Sequence, residues 1–475
     1  MRFLIIFFIC LFFTKGYAND MELSGIDISQ FNEEFKPQDD FYDYVNHNWL
    51  SKTEIPDDQI GWGSYMTLRE ESLQNQNILI NALIKNKDNL IASSEEEKIA
   101  NLYLSYTNRD LVNKLGSLPL SDDIEAIKNI KNKTDLWKYF SESEKKGMSS
   151  PIYFAVYDDL KDPLNYTIYF GQSGLGLPDR DYYLLDQPHY IKGREEYPIH
   201  LSNLFDLSGL DNANERASNA FDVETELAKI QISRTERRDP EKTYNPMNVN
   251  DLDAISNSNF NLWLKNLAIE SYDRYIIESP KYLEDLSNLI DEIPIDQWKD
   301  YLLARLVKSA SGSLSDDFVD ESYRFSSILT GREEMPALWK RSVGIVNGLL
   351  GDALGKIYVK NHFPPEYKQR MVELIDNLLE SFRIGIEDLE WMSEETKKRA
   401  LIKLEKLNVK IGYPEVWKDY NGLEFSDNDL YGNIKAASEF SYKDALKKLS
   451  EKVDRKRWAM SPQTVNAYFS PTKNE

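Results

Sequence analysis

The chain has 475 residues, of which 41% are hydrophobic and 29% charged, and a formal net charge of −22. This is the composition of a water-soluble globular protein with one large core or two ordinary ones, and it excludes a disordered or membrane-embedded chain. Phosphate contacts need clustered Lys and Arg, so a nucleic-acid partner is excluded as well.

The first 18 residues, MRFLIIFFICLFFTKGYA, read as a signal peptide. Arg2 gives a positive start, Phe3–Phe13 an apolar run of eleven residues, and Gly16 and Ala18 a small-residue cleavage site. A bilayer span takes about 20 residues, so no stable membrane insertion is expected once the signal is removed; an uncleaved anchor is the competing reading. Cys10, the single cysteine, leaves with the signal, and losing Arg2 and Lys15 takes the mature charge to −24. The expectation is an exported protein, periplasmic or extracellular, without disulfides and held by packing alone. Its acidic exterior favours a monomer.

Ser94-Glu95-Glu96-Glu97 forms a capping box and starts a helix whose apolar positions include Ile99, Leu102, Tyr103 and Tyr106. Between about 150 and 185, Ile152–Val156 and Tyr166–Phe170 are β-rich and short, which predicts a hairpin or small sheet. Gly174, Gly176 and Pro178 then mark a loop. Pro364-Pro365 opens a long helix with Met371, Leu374, Ile375, Leu378, Phe382, Ile386 and Leu389 at three- and four-residue steps, which predicts one buried stripe. Ser393 caps the next helix, with Ala400, Leu401, Leu404 and Leu407 as its inner face. Gly422–Asn433, rich in Asp, Asn and Gly, reads as a domain crossing. Finally, Val465–Phe469 alternates and is β-rich, which predicts an extended strand.

Few of the residues that carry chemistry fall into a usable pattern. A zinc peptidase needs two His one helical turn apart and a Glu beside the first. The four histidines are His47, His189, His200 and His362, and no two stand four apart. No metal ligand and no catalytic residue is therefore assigned. There is no Gly-x-Ser-x-Gly and no phosphate-binding loop either.

Several runs nevertheless occur together in a telling order. They begin with Pro37–Asn46, Trp49-Leu50, Trp62-Gly63-Ser64 and Leu68–Glu71, and continue with Gly176–Tyr183 and Arg234–Met247. Gly355–Val359, Phe363-Pro364-Pro365, Leu389–Met392 and Lys410–Pro414 follow, and the series closes on Val465-Asn466-Ala467-Tyr468-Phe469 with Ser470-Pro471 and Asn474-Glu475. In these runs the chain resembles the neprilysin-like zinc metallopeptidases over nearly its whole mature length. Because its expected mature part lacks cysteine, it is most similar to bacterial exported members.

The resemblance implies a mainly α protein: the large helical lid lobe of a two-lobed peptidase, with a small β element and the truncated start of a thermolysin-like catalytic lobe. The implied division is 20–44 packing on the catalytic lobe, 45–425 as lid and 426–475 as the start of the catalytic domain. Peptides are the implied substrates and zinc the implied cofactor of a complete member. The family motif puts Asn466 and Ala467 on the substrate backbone, in the manner of an edge strand. An Arg that clamps a substrate carboxylate in many relatives is replaced by Gly61, so a dipeptide-release preference is not carried over. Two functions are then expected: the N-terminal part of a zinc endopeptidase, inactive alone because His-Glu-x-x-His is missing, or a zinc-free peptide-binding protein built on the lid.

Overall fold

The computed structural model describes residues 26–255 and 259–475; the expected signal peptide at 1–18 lies outside the described residues. The chain divides into two compact units, 1–57 and 58–475. In the first, Asp40 caps the helix Phe41–Leu50 by accepting from the Asp43 N–H. Within it, the ring of His47 packs on Phe35 at 4.6 Å, and the Asn32 N–H donates to the Tyr44 carbonyl.

The second unit is mainly helical with one small sheet. The sheet begins with β1 (Ile152–Asp158) and β2 (Tyr166–Gln172), the expected hairpin, in antiparallel register from Ile152↔Gln172 to Asp158↔Tyr166. After β3 (Asn245–Met247), β4 (Tyr275–Ile277) pairs parallel with β2 and antiparallel with β3, giving the order β1-β2-β4-β3. Over this sheet lies an aromatic core. Phe170 meets Trp263 edge-on at 5.0 Å, Trp137 meets Phe140 at 6.0 Å, and Phe140 meets Trp298 at 5.9 Å, the edge-to-face geometry that ring quadrupoles favour.

A second core joins three helices, Ser64–Lys85, Glu95–Thr107 and Leu338–His362, through Ile80, Ile99, Leu102, Val343, Val346, Leu350 and Leu354. The Ser94 cap is present: its hydroxyl accepts from the Glu97 N–H at 3.2 Å. Glu97 reaches back to the Ser93 N–H rather than to that of Ser94. The expected inward residues Ile99, Leu102, Tyr103 and Tyr106 are all buried. The Leu338–His362 helix breaks at Leu350, whose φ of −129° and ψ of 31° are not helical; glycines at 348 and 351 flank the break. Among the described residues, no helix is long and apolar enough to cross a membrane.

One packing expectation fails. The helix after Pro364 forms as predicted, over Pro365–Asp388, but none of its residues is buried. Met371, Leu374 and Leu378 are 41–48% exposed and Phe382 62%. The three-to-four periodicity correctly gave a helix with an apolar face. What it could not give is how far that face is covered: Ile375, Ile386 and Leu389 are half-buried and the helix packs against Glu394–Glu405, while Met371, Leu374, Leu378 and Phe382 stay exposed among the described residues. The next helix, Glu394–Glu405, carries the expected Ser393 cap, with Ala400, Leu401, Leu404 and Leu407 only half-buried.

The buried His200 shows what one of the four histidines does. Its Nδ1 lies 2.8 Å from Glu321 Oε1 and its ring stacks on Phe325 at 4.6 Å. Burial works against the Glu321 carboxylate. Hydrogen bonds from His200, Arg324 and Asn203 outweigh it and bring the pKa from the ordinary 4.5 down to about 2. A depressed carboxylate contributes stability above its unfolded pKa and loses it as pH falls through the folded one. Unfolding free energy should therefore fall between about pH 4.5 and pH 2, and Glu321→Gln should flatten that limb. Urea melts over this pH range check it; an unchanged slope in the variant counts against the assignment.

Candidate peptide-binding site

The segment after Trp458 crosses the second core and is fastened to it by Gln463. Ser72 Oγ donates to the Gln463 carbonyl at 2.8 Å. Gln463 Nε2 donates to Asn347 Oδ1 at 2.7 Å and to the Gly351 carbonyl, just past the helix break, at 2.9 Å. Gln76 closes the ring, donating to Ser72 Oγ at 3.0 Å and accepting from Asn347 Nδ2 at 2.6 Å. Ser72, Gln76 and Gln463 are all buried, so these bonds form in a low-dielectric setting where a partner lost is costly. The approach is close: a Cβ on Gly355 would meet Pro462 Cδ at 2.8 Å.

The far end of the segment is fastened as firmly. The Glu475 side chain is 1% exposed and pairs with Lys410 Nζ at 2.7 Å. Asn408 Nδ2 donates to the same carboxylate at 3.0 Å. The Asn408 N–H donates to the Asn474 carbonyl at 2.8 Å, and the Ser470 N–H to the Glu475 carbonyl at 2.7 Å. Two of the runs that carry the family resemblance, Lys410–Pro414 and the closing motif, are thus in direct contact.

Between these anchors lie Asn466 and Ala467, both exposed. Val465–Phe469 belongs to no sheet, so the predicted strand is not formed. The physical reason is the lack of a neighbour to complete a ladder. The Asn466 N–H turns back to the Thr464 carbonyl, and the Ala467 N–H donates to Asn466 Oδ1 at 2.8 Å. Among the described residues, the carbonyls of 465–469 accept no hydrogen bond and Asn466 Nδ2 has no partner. Phe469 is 57% exposed. The segment therefore offers a run of open main-chain acceptors and one side-chain amide donor, the groups that pair with an extended peptide.

Two adjoining cavities open beside it. One of about 380 Å³ is lined by Asn347, Gly351, Ser461 and Thr464. The other, of about 810 Å³, is lined by Trp417, Lys418, Asp444, Arg457 and Trp458. They share Asp352, Lys418, Leu423, Phe440 and Trp458; Asn466 and Ala467 line neither. Lys418 Nζ sits 5.3 Å from the centroid of Tyr420, and burial pushes its ammonium below the usual lysine range.

Nothing in the described residues fits a zinc ion. His200 Nδ1 faces Glu321, His189 packs on Tyr190 at 3.9 Å, and His362 packs on Tyr358 at 5.0 Å. No group of three His, Cys, Asp or Glu among the described residues could hold a metal. At Gly61 a Cβ would meet open space, so crowding does not explain the glycine.

Sequence reasoning missed the Ser72–Gln76–Asn347–Gln463 ring. Four polar residues scattered over 391 positions carry no local pattern. Only the helical spacing of Ser72 and Gln76 hinted that they share a face.

A family model described as Peptidase family M13 matches residues 37–414. The chain is 29% identical over 455 residues to the neutral endopeptidase of Lactobacillus helveticus, covering 94% of this chain and 70% of that one. It is 30% identical over 471 residues to human endothelin-converting enzyme 1, covering 94% and 60%. The Mycobacterium tuberculosis zinc metalloprotease Zmp1, solved with an inhibitor, superimposes with a TM-score of 0.89 at 32% identity, over 95% of this chain and 69% of that one. PepO of Lactobacillus rhamnosis shares the fold, with a TM-score of 0.84 at 22% identity. The chain spans 60–70% of the length of its curated relatives.

Proposed function

Because the chain belongs to peptidase family M13, the neprilysin-like zinc metallopeptidases, we propose that it supplies the lid and the substrate-holding segment of a metalloendopeptidase. In this reading residues 45–425 form the lid, while 20–44 and 426–475 belong with the catalytic lobe. Zinc would be held by residues that these 475 do not include, and the chain alone would be inactive. Peptides would lie along Val465–Phe469, their N–H groups donating to its carbonyls and their carbonyls accepting from Asn466 Nδ2. Export through residues 1–18 to a periplasmic or extracellular site, as a monomer, completes the proposal.

The observation that carries it is the open backbone of 465–469, held between the buried Gln463 and Glu475 anchors. Anchoring at both ends lowers the entropy lost when a peptide binds. The largely exposed apolar face of Pro365–Asp388 also fits a lobe that is covered in a complete enzyme. It weighs against the other reading, a self-sufficient zinc-free peptide binder, because large exposed apolar faces favour association.

The test is fluorescence anisotropy with a labelled unstructured peptide and the purified chain. Asn466→Ala should weaken binding about tenfold, the loss expected for one buried hydrogen bond. Equal affinity of variant and wild type would remove Asn466 from the site.

A further inference from the structure

A separate cavity of about 420 Å³ lies between the Gly176–Pro178 loop and three helices, Pro188–Leu207, Ile295–Ala310 and Asp316–Thr330. Its walls are largely apolar, formed by Leu177, Tyr182, Phe325 and Leu329. Its volume lies within the range of small-molecule sites, about 300–1,000 Å³. Lys308 lines it and forms no ion pair or side-chain hydrogen bond among the described residues. Burial pushes this ammonium below the usual lysine range; Arg305 pushes the same way, and Glu224 pulls back.

Most of the nearby polar groups are already committed elsewhere; the exposed Ser326 hydroxyl is the exception in the lining. Glu224 is held by Tyr183, Tyr197, the Gly176 N–H and Arg305. Ser322 Oγ donates to Ser311 Oγ at 2.7 Å, and Ser311 Oγ to the Lys308 carbonyl at 2.8 Å. His200, also in the lining, faces the Glu321 carboxylate through Nδ1. The carboxylate accepts, so Nδ1 carries the proton, and burial keeps the ring neutral. This leaves one cation for one negative charge, inside apolar walls. A phosphate dianion would bring a second charge with nothing to meet it.

We propose that this cavity binds a small apolar monocarboxylate, an aromatic or branched short-chain acid, with Lys308 as its counter-charge. The carboxylate oxygens accept from Lys308 Nζ, and the apolar body packs on Phe325 and Leu329. Such a site is distinct in place and chemistry from the peptide segment at 465–469, and its occupancy would bias the packing of Gly176–Pro178 on the helices beneath.

Isothermal titration of the purified chain with phenylacetate tests this. Saturable binding is expected with a dissociation constant on the order of 1 mM or tighter. Lys308→Met should weaken it at least about tenfold. Leu329→Trp, which fills the cavity, should abolish it while leaving labelled-peptide binding unchanged, and inorganic phosphate should not compete. No saturable phenylacetate binding by the wild type overturns the proposal without touching the peptide reading. So does equal binding by both variants, or displacement by phosphate at equal affinity.

Discussion

The purified 475-residue chain is expected to show no zinc-dependent cleavage of peptides, however much zinc is supplied. Metal-assisted hydrolysis needs three protein ligands and an open position, where bound water is acidified to a pKa near 7. Two of those ligands normally sit one helical turn apart. Here His47, His189, His200 and His362 offer no such pair. Each instead has an aromatic neighbour: Phe35, Tyr190, Phe325 and Tyr358. His200 donates its Nδ1–H to Glu321, and no group of three His, Cys, Asp or Glu among the described residues could complete a metal site around its ring. Enzymes of this kind owe a factor of at least about 10⁶ to their active centre, so the expected signal is the uncatalysed background. A quenched fluorogenic peptide, assayed with and without added zinc and then with a chelator, decides the matter. Cleavage that the chelator abolishes and zinc restores would overturn the proposed division of labour.

The second large effect is on stability. Glu224 is fully buried, accepts three hydrogen bonds and faces a guanidinium. Tyr183 Oη and the Gly176 N–H donate to one oxygen, Tyr197 Oη donates to the other at 3.0 Å, and Arg305 Nη1 lies 3.8 Å away. Tyr183 Oη in turn accepts from the N–H groups of Gly176 and Leu177. Glu224→Leu would leave two hydroxyls, an amide and a nearly buried guanidinium facing an apolar side chain. Removing one partner of a buried charge pair costs about 3–5 kcal/mol, and the orphaned donors add to that. The variant should melt well below the wild type, or fail to fold.

The same cluster sets an alkaline limit. Burial, and then the Glu224 charge, push Tyr183 and Tyr197 well above the usual value of 10; burial does the same to Tyr301. A raised folded pKa means that the stabilisation is complete below the unfolded value and is lost as pH rises past it. Unfolding free energy should hold steady up to about pH 10 and then fall steeply. Tyr183→Phe should soften the fall. A wild type equally stable at pH 9 and pH 11.5 would show that these hydroxyls ionise freely in the fold.

Local rules made much of the architecture legible. The Ser94 and Ser393 caps, the 152–172 hairpin and the inward face of Glu95–Thr107 each depend on residues within a few positions of one another, and each is present. Gly176, a turn glycine in the sequence, proved to be more: a Cβ there would run into the Tyr197 hydroxyl and approach Glu224 Oε2 at 2.9 Å. What escaped was anything that depends on a distant partner. The stripe from Met371 to Phe382 is written as a core face, and sequence cannot say what covers it. Val465–Phe469 is written as a strand, yet a strand is a relation between two segments, and the second is not among the described residues. Lys308 looked like any helical lysine until three helices enclosed it.

The Gln463 ring has a consequence for the order in which the molecule assembles. Ser72 and Gln463 are 391 residues apart, so on a growing chain the groove between Ser64–Lys85 and Leu338–His362 exists before its last occupant has been made. During that interval Ser72, Gln76, Asn347 and the Gly351 carbonyl must be satisfied by water. Closing so long a loop is slow relative to local helix formation, because its entropy must be met before any contact rewards it. Docking of the 461–475 segment is therefore a late event, and a nascent chain stalled short of Gln463 would present a wet seam that proteases and chaperones could enter.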